Sequence, residues 1–265
     1  MVKLLLNFLA FLVENCQLLT SVAVMAGIFI LLAKSIKKHP GIYYFIFAIP
    51  AILFILRAIT GDALIGSSRT SVIGLVMREY VHAAGFSFPL LVIVMYMGAL
   101  PAHNPYVKRL MMIRKELSVI SGFPILIHSW VRIGSISGSI AFFAGTSADM
   151  AQHGHTGFGA VLSNSAYLLG ILMVILFTVL WVTSFDAIHR RLGAVKWKKI
   201  QRWSYVLYAM LFLHSILIHV GGLLGGGGHG RGGGNMALAH TVAITSVCLV
   251  FISYLILRLR KKKKG

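Results

Sequence analysis

The stretch YLLGILMVILFTVLWVTSF, from Tyr167 to Phe185, contains no charged residue. A basic loop follows it closely, with Arg190, Arg191, Lys196, Lys198, Lys199 and Arg202. An apolar run of about 20 residues crosses a hydrocarbon core of roughly 30 Å as a helix. A helix is favoured over a lipid-facing sheet because each backbone group then finds its partner within its own segment.

Comparable runs lie on both sides of it. Upstream, spans are expected at Gln17 to Ala33, Ile42 to Leu56, Met77 to Leu100, and from Glu116 to about Gly134. Downstream they are expected at Trp203 to about Val220 and Ala237 to Leu257. A short interfacial helix should precede the first span, where Glu14, Asn15 and Gln17 interrupt the apolar pattern. Its single early cation, Lys3, and the lack of a following soluble domain predict a retained segment rather than a cleaved leader. The chain therefore reads as an all-α polytopic membrane bundle of about seven spans. Three regions are expected: 1–76, with the interfacial helix and two spans; 77–220, a helical core; and 221–265, a Gly-rich loop, the last span and a basic tail. The composition agrees: 58% of the 265 residues are hydrophobic, 12% are charged, and mean hydropathy is +0.85.

The net charge of +19 is an orientation signal. Most Lys and Arg fall after spans one, three and five or in the tail RLRKKKKG, which places these on the cytoplasmic side. The N-terminus and the two long loops with His153, His155 and His229 are then outside, and the C-terminus is inside. Nucleic-acid binding is not expected, since the cations flank the membrane instead of sharing one folded face. Cys16 and Cys248 lie in apolar stretches with no CxxC neighbour, so a disulfide framework or a zinc or iron–sulfur site is not indicated. The Gly-rich stretch from Gly221 to Gly234 reads as a linker and precedes no phosphate-binding helix. No segment is long enough for a flavin or NAD domain.

Ionisable groups inside spans are functional candidates by default. His128 lies 11 residues after Leu117, and His214 lies 11 after Trp203. Each imidazole is thus roughly 16 Å from the inner boundary at the helical rise. Two imidazoles at one depth on different helices suit bis-His ligation of a haem iron. They equally suit interhelical hydrogen bonds to Ser or a carbonyl. His219, five residues beyond His214, points about 140° away and is not expected to share an iron with it.

The segment TSFDAIHRRLGAVKWKKIQRWSYVLYAMLFLHSIL, Thr183 to Leu217, resembles the ferric-reductase-like transmembrane domain family. Its pattern is a Thr-Ser span end, a basic RxLG…W loop, and a helix carrying His214. REYVHAAG and NPYVKRLMMIRKELSVISGFPILIH, ending at His128, agree with it, so the likeness covers roughly Arg78 to Leu217. Within the family it resembles most the haem-binding membrane subunits that serve a periplasmic methionine-sulfoxide reductase. The resemblance implies His128 and His214 as axial ligands of one haem b. The second family ligand on the later helix falls on Gln201, and its partner falls on Arg114, so an inner haem is not expected. Arg132, four residues after His128, would pair with a haem propionate or snorkel to the interface. His82 matches a family His and lies four residues after Arg78; the two imply a quinone or propionate site, against a structural hydrogen bond.

The expectation is a non-catalytic b-haem electron-transfer subunit of an oxidoreductase system, multi-pass in the inner membrane. It would take electrons from the quinone pool and pass them to an extracytoplasmic redox protein such as a reductase, with haem b as cofactor, quinone as a further candidate and a flavin left open. The rival from another class is a haem-free transporter or scaffold, against which no paired Gly/Pro-broken helices are seen. His128→Ala and His214→Ala should each remove most haem absorbance from the purified protein, and Gln201→Ala should retain it. Comparable loss in Gln201→Ala would make that position a ligand.

Overall fold

The computed structural model describes residues 17–60, 85–145, 157–224 and 236–264. All regular structure among them is α-helical: α1 (Gln17–Lys38), α2 (Pro40–Thr60), α3 (Ser87–Ala99), α4 (Pro105–Met112), α5 (Arg114–Val131), α6 (Ile133–Phe143), α7 (Gly157–Val182), α8 (Asp186–Gln201), α9 (Ser204–Leu224) and α10 (Met236–Lys264). Four helices are individually long and apolar enough to cross a membrane: α1, α7, α9 and α10. α5 and α6 satisfy the same criterion as a pair bent by 47°. The apolar stretches Pro40–Leu56 of α2 and Ser87–Ala99, α3, are shorter. The chain is thus an all-helical, multi-pass membrane protein with four to five spans by helix length among the described residues. The expected N-terminal interfacial helix lies outside those residues, as do Arg78, His82, His153, His155 and His229.

Three segments expected to be loops are helical. The Gly/Ser/Ala-rich stretch after span four contains α6 and the start of α7. Ser, Gly and Asn favour turns in water because their side chains compete for backbone groups. Here the hydroxyls bond back along the helix, Ser139 to Ser135 O at 2.8 Å and Ser165 to Val161 O at 2.8 Å, so helix and side chain are satisfied together. The basic loop after span five is α8, two helical pieces joined at Gly193, whose φ of 72° and ψ of 158° are accessible essentially to glycine alone. Asp186 in its first turn and Lys198 and Lys199 in its last complement the helix dipole. Gly221 and Gly222, expected in the linker, belong to α9.

The chain forms two compact units, neither continuous in sequence. One comprises 21–131, 181–194 and 254–265. Its core takes a single stripe from each of three helices: Met25, Phe29, Ala33 and Ile36 of α1; Leu90, Ile93, Val94 and Met97 of α3; and Leu117 and Ile120 of α5, with Leu110 and Ile113 just before it. The spacing of three and four residues puts each set on one helix face. The opposite face of α1 exposes Val24, Ile28 and Leu31, as suits contact with lipid. Lipid tails are as apolar as leucine, so these stripes associate through close packing rather than escape from water. One close approach is at Gly122, where the Trp181 indole occupies the space a Cβ would need. The indole Nε1 donates to Val119 O at 2.9 Å.

The same unit contains a chain of charges. Glu116, in the first turn of α5, is 2% exposed; its Oε1 lies 3.1 Å from Lys37 Nζ and 3.8 Å from Lys115 Nζ. Lys115 also reaches Asp186 Oδ2 at 2.9 Å. Lys37 is 49% exposed, so its ammonium can return to water if Glu116 is removed, whereas Glu116 cannot follow if Lys37 is removed. The Lys115 hydrogen bond holds the Asp186 carboxyl below the usual carboxylate range. That contribution is present above the ordinary Asp pKa and is lost as pH falls through the lowered value. Asp186 is exposed, so the contribution is small. Lys37→Ala is therefore expected to destabilise by about 2 kcal/mol, because it strips the better partner from a buried carboxylate. Asp186→Asn should cost less than about 1 kcal/mol. Thermal unfolding in detergent at neutral pH orders the two.

Candidate functional site

The second unit comprises 1–20, 132–180 and 195–253. It carries His214, Arg132 and Gln201, while His128 belongs to the unit described above. α9 places His214 in its middle, half-buried. The imidazole Nδ1 lies 2.9 Å from Ala166 O of α7. A carbonyl only accepts, so Nδ1 is the protonated nitrogen and the neutral ring presents its lone pair at Nε2. Gly170, one turn further along α7, faces the same ring: a Cβ there would stand 3.8 Å from His214 Cε1.

His128 lies in the last turn of α5 and is half-buried. The helix stops three residues later. Arg132, with φ −87° and ψ 1°, occupies the break between α5 and α6. The expected continuous helix from Glu116 to Gly134, with Arg132 one turn above His128 on the same face, is therefore corrected to two helices meeting at Arg132 with a 47° bend. Gln201 closes α8 and donates from Nε2 to Leu180 O at 3.2 Å, an interaction that holds the end of α8 to α7. This gives the residue at the departing family position a structural task.

Around His214 most polar groups of the unit are paired internally, with Ser163 Oγ a buried exception. The single hydroxyl proton of Ser139 of α6, fully buried, is shared between Ser135 O at 2.8 Å and Asn164 Oδ1 of α7 at 2.7 Å, and Asn164 Nδ2 donates to Ala160 O at 2.9 Å. Gly221 of α9 packs onto α7 so closely that a Cβ would overlap Ser163 Oγ and stand 2.9 Å from Gly159 O. Small residues on both helices permit this approach. Sequence reasoning missed these contacts because a backbone carbonyl such as Ala166 O has no sequence signal. It also left His219 and His240 unassociated, although α9 and α10 bring their Nδ1 atoms to 3.3 Å. Their positions near the ends of α9 and α10 on either side of the Gly-rich stretch were the available signal. Among the described residues there is no group of three or more His, Cys, Asp or Glu positioned to hold a metal.

No protein-family model and no solved structure matches the chain. It is similar to an uncharacterised protein of Treponema pallidum (strain Nichols), at 27% identity over 241 residues, covering 88% of this chain and 58% of that protein. The chain thus spans less than two thirds of the length of that relative.

The glycine contacts predict a contrast. Gly221→Ala should destabilise by about 1–3 kcal/mol, since it forces α9 off α7 at a backbone contact. Gly170→Ala meets only ordinary contact distance and should be near neutral. Thermal unfolding of the two purified variants measures the difference.

Proposed function

We propose that the chain is a b-haem electron-transfer subunit of the cytoplasmic membrane, with His128 and His214 as the axial ligands that the family resemblance implies, passing electrons from quinol to an extracytoplasmic redox protein such as a reductase. The supporting observation is the His214 imidazole. Its Nδ1–H is committed to Ala166 O, which fixes ring orientation and tautomer, raises basicity, and leaves Nε2 as the donor nitrogen. Metal-ligating histidines are typically held in this way. His128 is the second ligand in this reading, and Arg132 at the α5–α6 break is the cation for a propionate. A haem with two axial imidazoles supplies a coordinatively full one-electron couple. The chain's own contribution is position and electrostatics.

The arrangement in this reading is seven spans, N-terminus outside and C-terminus inside, with α2 and the segment ending in α3 crossing as well. The basic ends of α1 and α10, together with α8, support that orientation. Gln201 and Arg114 stand where an inner relay would need ligands, so electrons enter from a lipid-borne donor rather than a cytoplasmic flavoprotein.

Purified protein should show b-type bands in a reduced-minus-oxidised spectrum, and reduced quinol should reduce the haem directly. NAD(P)H with a soluble flavin reductase should do so slowly. Absence of b-type bands would leave a haem-free transporter or scaffold as the reading. Fast flavin-driven reduction without quinone would reverse the proposed direction of entry.

A further inference from the structure

α9 and α10 bring a second pair of imidazoles together. His219 lies five residues beyond His214 on α9, and His240 is in the second turn of α10. Their Nδ1 atoms are 3.3 Å apart, with ring centroids at 5.6 Å and planes inclined by 58°. Both side chains are half-buried. The His240 ring lies against Gly222, where a Cβ would overlap it, so the backbone of α9 limits where that ring can sit.

We propose that His219 and His240 form a binding site for a divalent transition-metal cation of the zinc class, ligated through both Nδ1 atoms. Zn–N bonds of about 2.0–2.1 Å in a tetrahedral centre put two ligand nitrogens roughly 3.3 Å apart. The observed separation matches that edge. It is longer than the usual 2.9–3.0 Å of an N–H hydrogen bond. Neutral imidazole is the preferred state for such ligation. Two protein ligands are one fewer than an open zinc centre normally has, so water, an anion or a substrate group fills the remaining positions. On an ideal helix His219 points about 140° from His214, so the pair does not compete for the ring held on Ala166. The site stands whether or not a haem is bound at His214.

Full-length, metal-free protein in detergent is titrated with Zn2+ by calorimetry. The expected result is saturable binding that His219→Gln and His240→Gln each weaken at least about tenfold, the lower bound for removing a group that merely orients a metal ligand. His189→Gln, a histidine of α8 outside the pair, should retain this binding. His240→Cys should restore it, because thiolate is itself a zinc ligand. In wild-type protein, Zn2+ should also protect His219 and His240 from carbethoxylation, a readout that needs no variant to fold. No saturable binding, unchanged affinity in both Gln variants, or no protection at either histidine would overturn the site.

Discussion

A polar group in hydrocarbon has no water to fall back on, and this constraint organises the whole chain. Leaving such a group unpaired costs several kcal/mol, whereas making one ordinary hydrogen bond gains about 1 kcal/mol net. Most described polar side chains accordingly bond inward or back along their own helix, with Ser163 Oγ and Glu116 Oε2 as buried exceptions. Ser129 and Ser215 return to carbonyls four residues earlier, Asn164 bonds both its own helix and Ser139, and Trp181 reaches Val119 O. The His214–Ala166 hydrogen bond is one more case of the same demand. It has chemical interest because an imidazole that satisfies one nitrogen against a carbonyl still has a lone pair on the other.

Much of the architecture was legible because a membrane span is written as length and apolarity together. The apolar runs at Tyr167 to Phe185 and Trp203 to Val220 are helical as far as Val182 in α7 and from Ser204 in α9. The ends were less legible. Lys and Arg are good helix formers, so α10 continues through the basic tail to Lys264 and α8 forms where charge density suggested a loop. Ser- and Gly-rich sequence misled in the opposite direction at α6, since its turn signals assume water as the competing partner.

The candidate site divides along similar lines. Counting along two helices singled out His214 and His128 as candidates, whereas the carbonyl of Ala166 that holds His214 has no residue pattern to announce it. The break at Arg132 could not be read from the residues, for neither proline nor glycine stands at that position; the nearest, Pro124 and Gly134, lie inside or beyond it. Glu116 was read as a span boundary, yet it is among the most buried side chains. Its neighbours Lys37 and Lys115 are 78 residues apart in sequence, so only the folded helices reveal why a carboxylate is tolerated there.

The C-terminal cations carry a double burden. Arg258 Nη1 donates to Gly98 O at 3.1 Å, and Lys261 Nζ reaches Gly98 O at 3.0 Å and Leu100 O at 3.3 Å. These are carbonyls at the C-terminal end of α3, where a cation complements the helix dipole. The residues that mark the tail by charge also close a helix more than 150 residues upstream. Mutational drift in that tail is consequently less free than its low-complexity appearance suggests. Exchanging lysine for another cation preserves the charge count, but a shorter or displaced side chain opens the end of α3. Insertion or deletion of a single residue in α10 would rotate both donors away together while leaving the topogenic charge intact.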